Sequence, residues 1–89
     1  LLMVSGFTDD RPVRESNTQF HDNWELSAQR ALTVTRALID DGIPSSMIFA
    51  AAFGPEQPVA SNAGVEGRSR NRRVEMAPVP KSATATAAP

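Results

Sequence analysis

The sequence predicts an α/β or α+β sandwich, with helices on one face of a small sheet. Two short apolar runs, residues 1–7 and 47–53, have the length and the flanking residues of strands. Between them, residues 24–41 carry apolar side chains at helical spacing. A helical turn in "VEGRSRNRR" and an alternating segment, "RRVEMAPV", then complete a strand, helix, strand, short helix, strand order.

The first strand is a continuous apolar run ended by Gly6 and a cluster of Asp, Arg and Pro, which predicts burial on both faces. A loop of fifteen mostly polar residues, 8–22, follows it. Connections of that length in a compact domain are often functional. The helix is expected to begin near Asn23, a good N-cap residue, and to end where Gly42 suits a left-handed C′ position and Pro44 cannot continue a helix.

One arginine lies where this helix is expected to bury hydrocarbon. With about 100° per residue and Leu26 at zero, the apolar residues fill an arc from roughly 0° to 140°, and Arg30 falls at roughly 40°. Arg36 falls on the polar side. Arg30 either extends past its neighbours to water on its long stem or binds an anionic partner on the inner face.

The second strand, residues 47–53, precedes a Gly-Pro turn, and its three alanines make it weak by propensity. The last strand is expected to place Val74 and Met76 on one face. Residues 78–89 are rich in Pro, Ala, Ser and Thr, which bury too little apolar surface to offset the cost of ordering. We therefore expect a domain at 1–77 and a disordered Pro/Ala-rich tail at 78–89.

The 89 residues suffice for one small domain, and the absence of Cys leaves its core without disulfides. A net charge of −1 gives no overall attraction to nucleic acid or anionic lipid. The best apolar run, "MIFAAAF", is far shorter than the roughly eighteen residues of a membrane span, and no signal peptide is visible. Because the chain opens inside an apolar run, we expect a fragment whose upstream part carries any targeting sequence and further elements of the fold.

Three charged features stand out: Asp9 and Asp10 after the first strand, Arg30, and the cluster "RSRNRR" at residues 68–73. Each also has a purely structural explanation, because Asp is common in turns and arginine clusters usually form a solvated face. Together, opposite charges at a strand end and on the facing helix predict a receptor for a ligand with both an amine and a carboxylate. The alternative is a nucleic-acid-contacting module that uses the arginine cluster.

Other chemistries have little support in the sequence. The single histidine, His21, has no Cys or second His to share a metal ion, which argues against a metal site. No serine lies in a nucleophile-elbow pattern and no glycine-rich phosphate loop is present, so we expect neither an enzyme nor a cofactor. Trp24, at the start of the helix, is expected to anchor the long loop by packing rather than to bind a ligand.

Four segments, "GFTDDRP", "NWELSAQRALTVTRALIDDGIP", "FGPEQPVASN" and "EGRSRNRRVEM", resemble the OmpA-like peptidoglycan-binding domain in order and spacing. The "NWELS" form is most similar to the MotB-like flagellar stator branch of that family. The resemblance implies an α+β domain, a βαβαβ-type sandwich with helices on one face of a small mixed sheet, whose first strand and helix precede Leu1. It also implies a periplasmic domain of a Gram-negative membrane protein, in the inner membrane if MotB-like and the outer membrane if OmpA-like.

The resemblance also implies a binding site. The family binds the diaminopimelate of the peptidoglycan stem peptide noncovalently, and its binding residues match Thr8, Asp9, Asn23, Arg30 and Arg72. By this pattern Asp9 holds the ligand's ammonium group and Arg30 its carboxylate. Phe7 stands where the family commonly has histidine, which is expected to change the strand end more than the ligand contacts. The implied function is to anchor a larger membrane protein to the cell wall, with no cofactor, metal or nucleic acid and with a homodimer as an option.

Overall fold

A computed structural model describes residues 1–14 and 16–80 of the chain. Its elements follow in the order β1 (Leu2–Phe7), α1 (Asn23–Asp40), a 3₁₀ turn (Ser45–Met47), β2 (Ile48–Ala52), α2 (Val65–Asn71) and β3 (Arg73–Pro78). The three strands and the long helix agree with the predicted bounds to one residue at each end, and the expected helical turn is a helix of seven residues. The α+β class is confirmed.

The strand β1 is the centre of a three-stranded mixed sheet with the order β2-β1-β3. The strand β2 runs parallel to β1, with Ala50 opposite Val4, and β3 runs antiparallel, with Met76 opposite Val4. A parallel pair needs a crossover connection, and α1 supplies it by packing on both strands. Because β1 has a neighbour on each side, its last four residues are buried, as its continuous apolar run predicts.

The core lies between α1 and the sheet and is built on Val4, Ala31 and Ile48. The helix comes very close to β1, because a Cβ added to Gly6 would lie 2.0 Å from the backbone oxygen of Ser27. Any side chain at Gly6 would therefore push α1 away from the strand that carries the candidate site.

The buried side of α1 is rotated from the predicted apolar arc. Its buried residues are Ser27, Ala31 and Thr35, whereas Leu26 is only half-buried. Both hydroxyls are satisfied inside the helix, because each donates to a backbone carbonyl oxygen three or four residues earlier. Serine and threonine can thus occupy the closest contact with the sheet, and Arg30 lies at the edge of the buried stripe, half-buried.

The ends of α1 are set by local chemistry. Asp22 is the N-cap, since its Oδ1 accepts a hydrogen bond from the Glu25 N–H at 2.9 Å. The expectation that Asn23 caps the helix is therefore wrong: Asn23 is the first helical residue, and its side chain bonds elsewhere. At the other end, Gly42 follows the C-cap with a positive φ of 118°, which favours glycine as predicted.

The sheet extends into the predicted tail. Pro78 is the last residue of β3, and the Val79 N–H donates to the Leu1 carbonyl oxygen at 2.8 Å. The strand thus runs one residue past the boundary expected after Ala77, because backbone pairing does not depend on apolar side chains. The division into a domain and a tail stays a prediction. The rest of the predicted tail, 81–89, lies outside the described residues.

Neither helix in the described part of the chain is long and apolar enough to cross a membrane. The further strand and helix expected before Leu1 stay a prediction.

Candidate functional site

The candidate site begins where β1 ends. The Thr8 N–H donates to the Gly54 carbonyl oxygen at 2.9 Å, and the Thr8 hydroxyl donates to the Asp9 carbonyl oxygen at 2.9 Å. Thr8 is 3% exposed and Asp9 is 6% exposed, so this polar strand end is held inside the fold. Buried polar groups that are bonded in this way fix the backbone from which the Asp9 carboxylate extends.

Both oxygens of the Asp9 carboxylate accept hydrogen bonds. Oδ2 accepts from Nη1 of Arg72 at 2.8 Å, and Oδ1 accepts from the backbone N–H of Arg11 at 3.1 Å. Burial raises the pKa of this carboxyl, but the hydrogen bonds from Arg72 and Arg11 and the charges of the two arginines outweigh burial and hold the pKa below its ordinary value. Asp9 is therefore an anion at neutral pH.

Arg72 reaches Asp9 from the junction between α2 and β3. The preceding residue, Asn71, is completely buried, and its side-chain amide makes four hydrogen bonds with loop residues 59–62. Asn71 thereby ties the loop before α2 to the end of α2. This buried amide fixes the backbone position from which Arg72 extends. Asn71 is uncharged, so the charge pattern of the sequence does not indicate its role.

Asn23 connects α1 to the long loop. Its Nδ2 donates to the carbonyl oxygen of Arg11 at 2.9 Å and to that of Asp9 at 3.4 Å. The start of the helix therefore holds the first turn of the loop against the end of β1.

Arg30 points at the same strand end. Its Nη1 donates to the Phe7 carbonyl oxygen at 3.4 Å, which is long for a hydrogen bond. Both ion pairs found among the described residues belong to other arginines, Arg72 and Arg73. Among the described contacts, Arg30 thus donates to a neutral carbonyl oxygen, whereas the sequence suggested an anionic partner.

A cavity of about 570 Å³ opens beside Asp9. Its wall is formed by Asp9, Arg11, Pro12, Val13, Arg14, Ser16, Asn17, Asn23, Leu26 and Arg72. Three of the five predicted site residues lie in this wall, whereas Thr8 lies behind Asp9 and Arg30 lies at the strand end. Sequence reasoning missed the loop residues in the wall, although the length of the loop was a signal of function.

Trp24 packs on Gly54, in the loop after β2. A Cβ added to Gly54, whose φ is positive at 57°, would lie 2.9 Å from the indole ring. The Trp24 side chain nevertheless stays 47% exposed. Trp24 thus covers Gly54, the residue whose carbonyl oxygen accepts from Thr8, and the expectation that it anchors the long loop stays a prediction.

The arginines of "RSRNRR" make contacts in different parts of the structure. Arg68 donates to a loop carbonyl oxygen at 3.0 Å, and Arg72 binds Asp9. Arg73 lies over the Phe7 ring, with 3.8 Å between its guanidinium carbon and the ring centroid. Three of these four side chains are thus engaged in separate internal contacts, which leaves little of the continuous basic surface that a nucleic-acid contact needs.

Comparisons with known proteins place this fold in a family. The model of the OmpA family matches residues 1–72. Motility protein B of Bacillus subtilis is 41% identical over 86 residues, which cover 96% of this chain and 32% of that protein. Peptidoglycan-binding protein ArfA of Mycobacterium tuberculosis is 38% identical over 75 residues, which cover 84% of this chain and 21% of that protein.

A solved structure agrees with these relatives. The cell wall anchor of the T6SS from Pseudomonas aeruginosa matches with a TM-score of 0.78 and 37% identity, over 84% of this chain and 51% of that one. The chain spans about a third or less of the two curated relatives. The family model covers β1, α1, β2, α2 and all the residues named above for the cavity wall. The chain therefore belongs to the OmpA family.

Proposed function

We propose that this chain is a noncatalytic module that binds the diaminopimelate of the peptidoglycan stem peptide and so anchors a larger membrane protein to the cell wall. Two similar proteins support the proposal by their names, one as a peptidoglycan-binding protein and one as a cell wall anchor. The observation that carries it is the ionised Asp9 carboxylate in the wall of a cavity of about 570 Å³.

Asp9 keeps room for an ammonium group. A carboxylate has about four lone-pair positions, and the described contacts of Asp9 use one on each oxygen. The lowered pKa keeps the carboxylate negative at neutral pH, where an alkyl amine is protonated. An ammonium that enters the cavity therefore meets an ionised acceptor with unused positions, and such charge-assisted hydrogen bonds are the strong ones.

Arg30 supplies the complementary charge in this proposal. A guanidinium has five N–H donors, and the described contacts of Arg30 use one of them, on the Phe7 carbonyl oxygen. A ligand carboxylate at the end of β1 can accept two parallel hydrogen bonds from such a group. The far end of the diaminopimelate side chain carries an amine beside a carboxylate, so it matches an anion and a cation at one strand end.

The remaining predicted site residues act through Asp9. Thr8 and Asn23 bond to its backbone carbonyl oxygen and are positioning residues. Arg72 holds the carboxylate in place and keeps it ionised.

The anchored protein and its compartment are also part of the proposal. The chain spans 32% of the Bacillus subtilis relative, so a stator-like role for the anchored protein is a proposal. We place the domain on the cell-wall side of the membrane, because the wall is its proposed ligand. The Gram-negative restriction implied by the resemblance stays a prediction. A homodimer stays a prediction.

Sedimentation with purified sacculi tests the proposal. At about 150 mM salt, where exposed charges are largely screened, the parent chain should co-sediment, and Asp9→Asn should lower its affinity at least about tenfold. Asp10→Asn is the matched control, because Asp10 is exposed and lies outside the cavity wall. Filter binding to nucleic acid under the same conditions tests the alternative. No sedimentation of the parent, or equal sedimentation of a folded Asp9→Asn chain, would overturn the proposal.

A further inference from the structure

The loop side of the cavity carries two arginines to which the proposed site gives no role. Arg11 and Arg14, here called the loop arginines, line the cavity together with Arg72. Both are exposed, so their guanidinium groups are accessible at the cavity wall.

The described residues of the cavity wall carry more positive than negative groups. Among the described residues, the wall contains one carboxylate, that of Asp9, and three guanidinium groups. Arg72 and Asp9 neutralise each other at 2.8 Å. The diaminopimelate side-chain end brings one positive and one negative group, so its binding does not change the net charge beside the two loop arginines. The wall therefore favours a ligand that carries a further anion.

Hydrogen bonds hold the backbone at Arg11 and at Arg14. The Arg11 N–H donates to the Asp9 carboxylate, and the Arg11 carbonyl oxygen accepts from Asn23 at 2.9 Å. The Arg14 carbonyl oxygen accepts from the Asn17 N–H at 2.9 Å. Both loop arginines therefore extend from hydrogen-bonded backbone positions, and Arg11 lies next to the carboxylate that is proposed to bind the ammonium group. A cavity of about 570 Å³ also has room for more than one side-chain end.

We propose that Arg11 and Arg14 form a second anion subsite that binds a free carboxylate of the stem peptide outside the diaminopimelate side-chain end. This inference rests on the proposed function and adds a specificity to it. The domain selects stem peptides in which the carboxylate of the residue before diaminopimelate is free, and it disfavours those in which that carboxylate is amidated.

The expected change in affinity is small because both loop arginines are exposed. Ion pairs between exposed groups contribute little individually, so two such contacts should change affinity by roughly three- to tenfold. Added salt should reduce the difference, because exposed charges are screened within about 10 Å at 0.1 M ionic strength.

Calorimetric titration of the full chain with two synthetic tripeptides tests the subsite. Both contain diaminopimelate, and they differ only in whether the carboxylate of the preceding residue is free or amidated. The parent should bind the free form about three- to tenfold more tightly. The double variant Arg11→Gln/Arg14→Gln should bind both forms equally, at about the affinity of the parent for the amidated form.

The matched control is Arg36→Gln/Arg70→Gln, which removes the same charge from exposed positions outside the cavity wall and should keep the preference. Equal binding of the two tripeptides by the parent, together with loss of binding in Asp9→Asn, would overturn the subsite and leave the proposed function intact. If neither tripeptide binds the parent, both proposals fail.

Discussion

Asp9 and Arg72 are 63 positions apart in the chain, yet Oδ2 of the first and Nη1 of the second lie 2.8 Å apart. The pair joins the end of β1 to the start of β3, two strands that are hydrogen-bonded neighbours. The same contact forms part of the cavity wall and lowers the pKa of Asp9. Stability and the proposed binding therefore depend on one side chain, that of Arg72.

Replacing Arg72 should change how stability depends on pH. Because the pKa of Asp9 is lowered from 3.8 in the folded chain, its stabilising contribution is present above that value and is lost as the pH falls through the folded-state pKa. Arg72→Gln should lower the free energy of unfolding at neutral pH by roughly 0.5–1 kcal/mol, since the Arg72 side chain is partly exposed and solvent screens the pair. It should also weaken the loss of stability below about pH 4. Urea unfolding at neutral and acidic pH measures both effects.

The matched control for this experiment is Arg70→Gln, which removes an equal charge from an exposed position of α2. A control that loses as much stability as Arg72→Gln would assign the effect to net charge and not to the ion pair.

Adding one methyl group at Gly6 should be severely destabilising. The new Cβ would lie 2.0 Å from a backbone oxygen of α1, which cannot move without displacing the helix. Gly6→Ala should cost about 2–4 kcal/mol or prevent folding. In Gly64→Ala the Cβ meets nothing within 4 Å, so this control should cost less than about 1 kcal/mol. Thermal unfolding compares them, and similar melting temperatures would contradict the close contact between β1 and α1.

Truncating Asn71 should destabilise the fold more than truncating an exposed asparagine. Asn71→Ala leaves backbone N–H groups of the loop at 59–62 without their acceptor and opens a small cavity, with an expected cost of about 2–4 kcal/mol. Asn17 also accepts two backbone N–H groups, but it is exposed. Asn17→Ala should therefore cost less than about 1 kcal/mol, because water can replace the lost contacts. A smaller loss in Asn71→Ala than in Asn17→Ala would refute the anchoring role.

Two truncations should distinguish the contribution of the end of β3 to stability from that of the segment after it. Removing residues 81–89 should leave the melting temperature unchanged, because their composition offers almost nothing to bury. Removing 78–89 should cost about 1 kcal/mol, because the hydrogen bond from the Val79 N–H to Leu1 is lost. Equal melting temperatures for both truncated chains would show that this pairing contributes nothing.

The regular elements could be predicted because they rest on local patterns. The apolar run of β1 and the helical period of α1 locate both elements to one residue. The N-cap could not be assigned in the same way, because Asp22 and Asn23 are equally good candidates in sequence. Only the folded backbone shows that the Asp22 side chain turns back to the helix while Asn23 bonds the loop.

The site was predictable only in part. Asp9 and Arg30 stand out by charge and position, but the contact between Asp9 and Arg72 joins distant segments and leaves no periodic signal. A hydropathy scale also treats Ser27 as polar and so does not predict that it is buried. The Ser27 hydroxyl can be buried because it donates to a carbonyl oxygen within the helix. Arg11 and Arg14 lie in an irregular loop, where no hydrophobic periodicity indicates which way a residue faces. Their place in the cavity wall is therefore visible only in the folded structure.

Calorimetric titration with two kinds of stem peptide tests the central claim most directly. One peptide carries diaminopimelate and the other carries lysine, which lacks the carboxylate at the side-chain end. The parent should prefer the diaminopimelate peptide by at least about thirtyfold, because losing one partner of a desolvated charge pair typically costs about 2–5 kcal/mol. Arg30→Ala should abolish the preference, whereas Arg36→Ala, on the exposed side of the same helix, should keep it. Equal affinity of the parent for both peptides, or unchanged binding by a folded Arg30→Ala chain, would contradict the account.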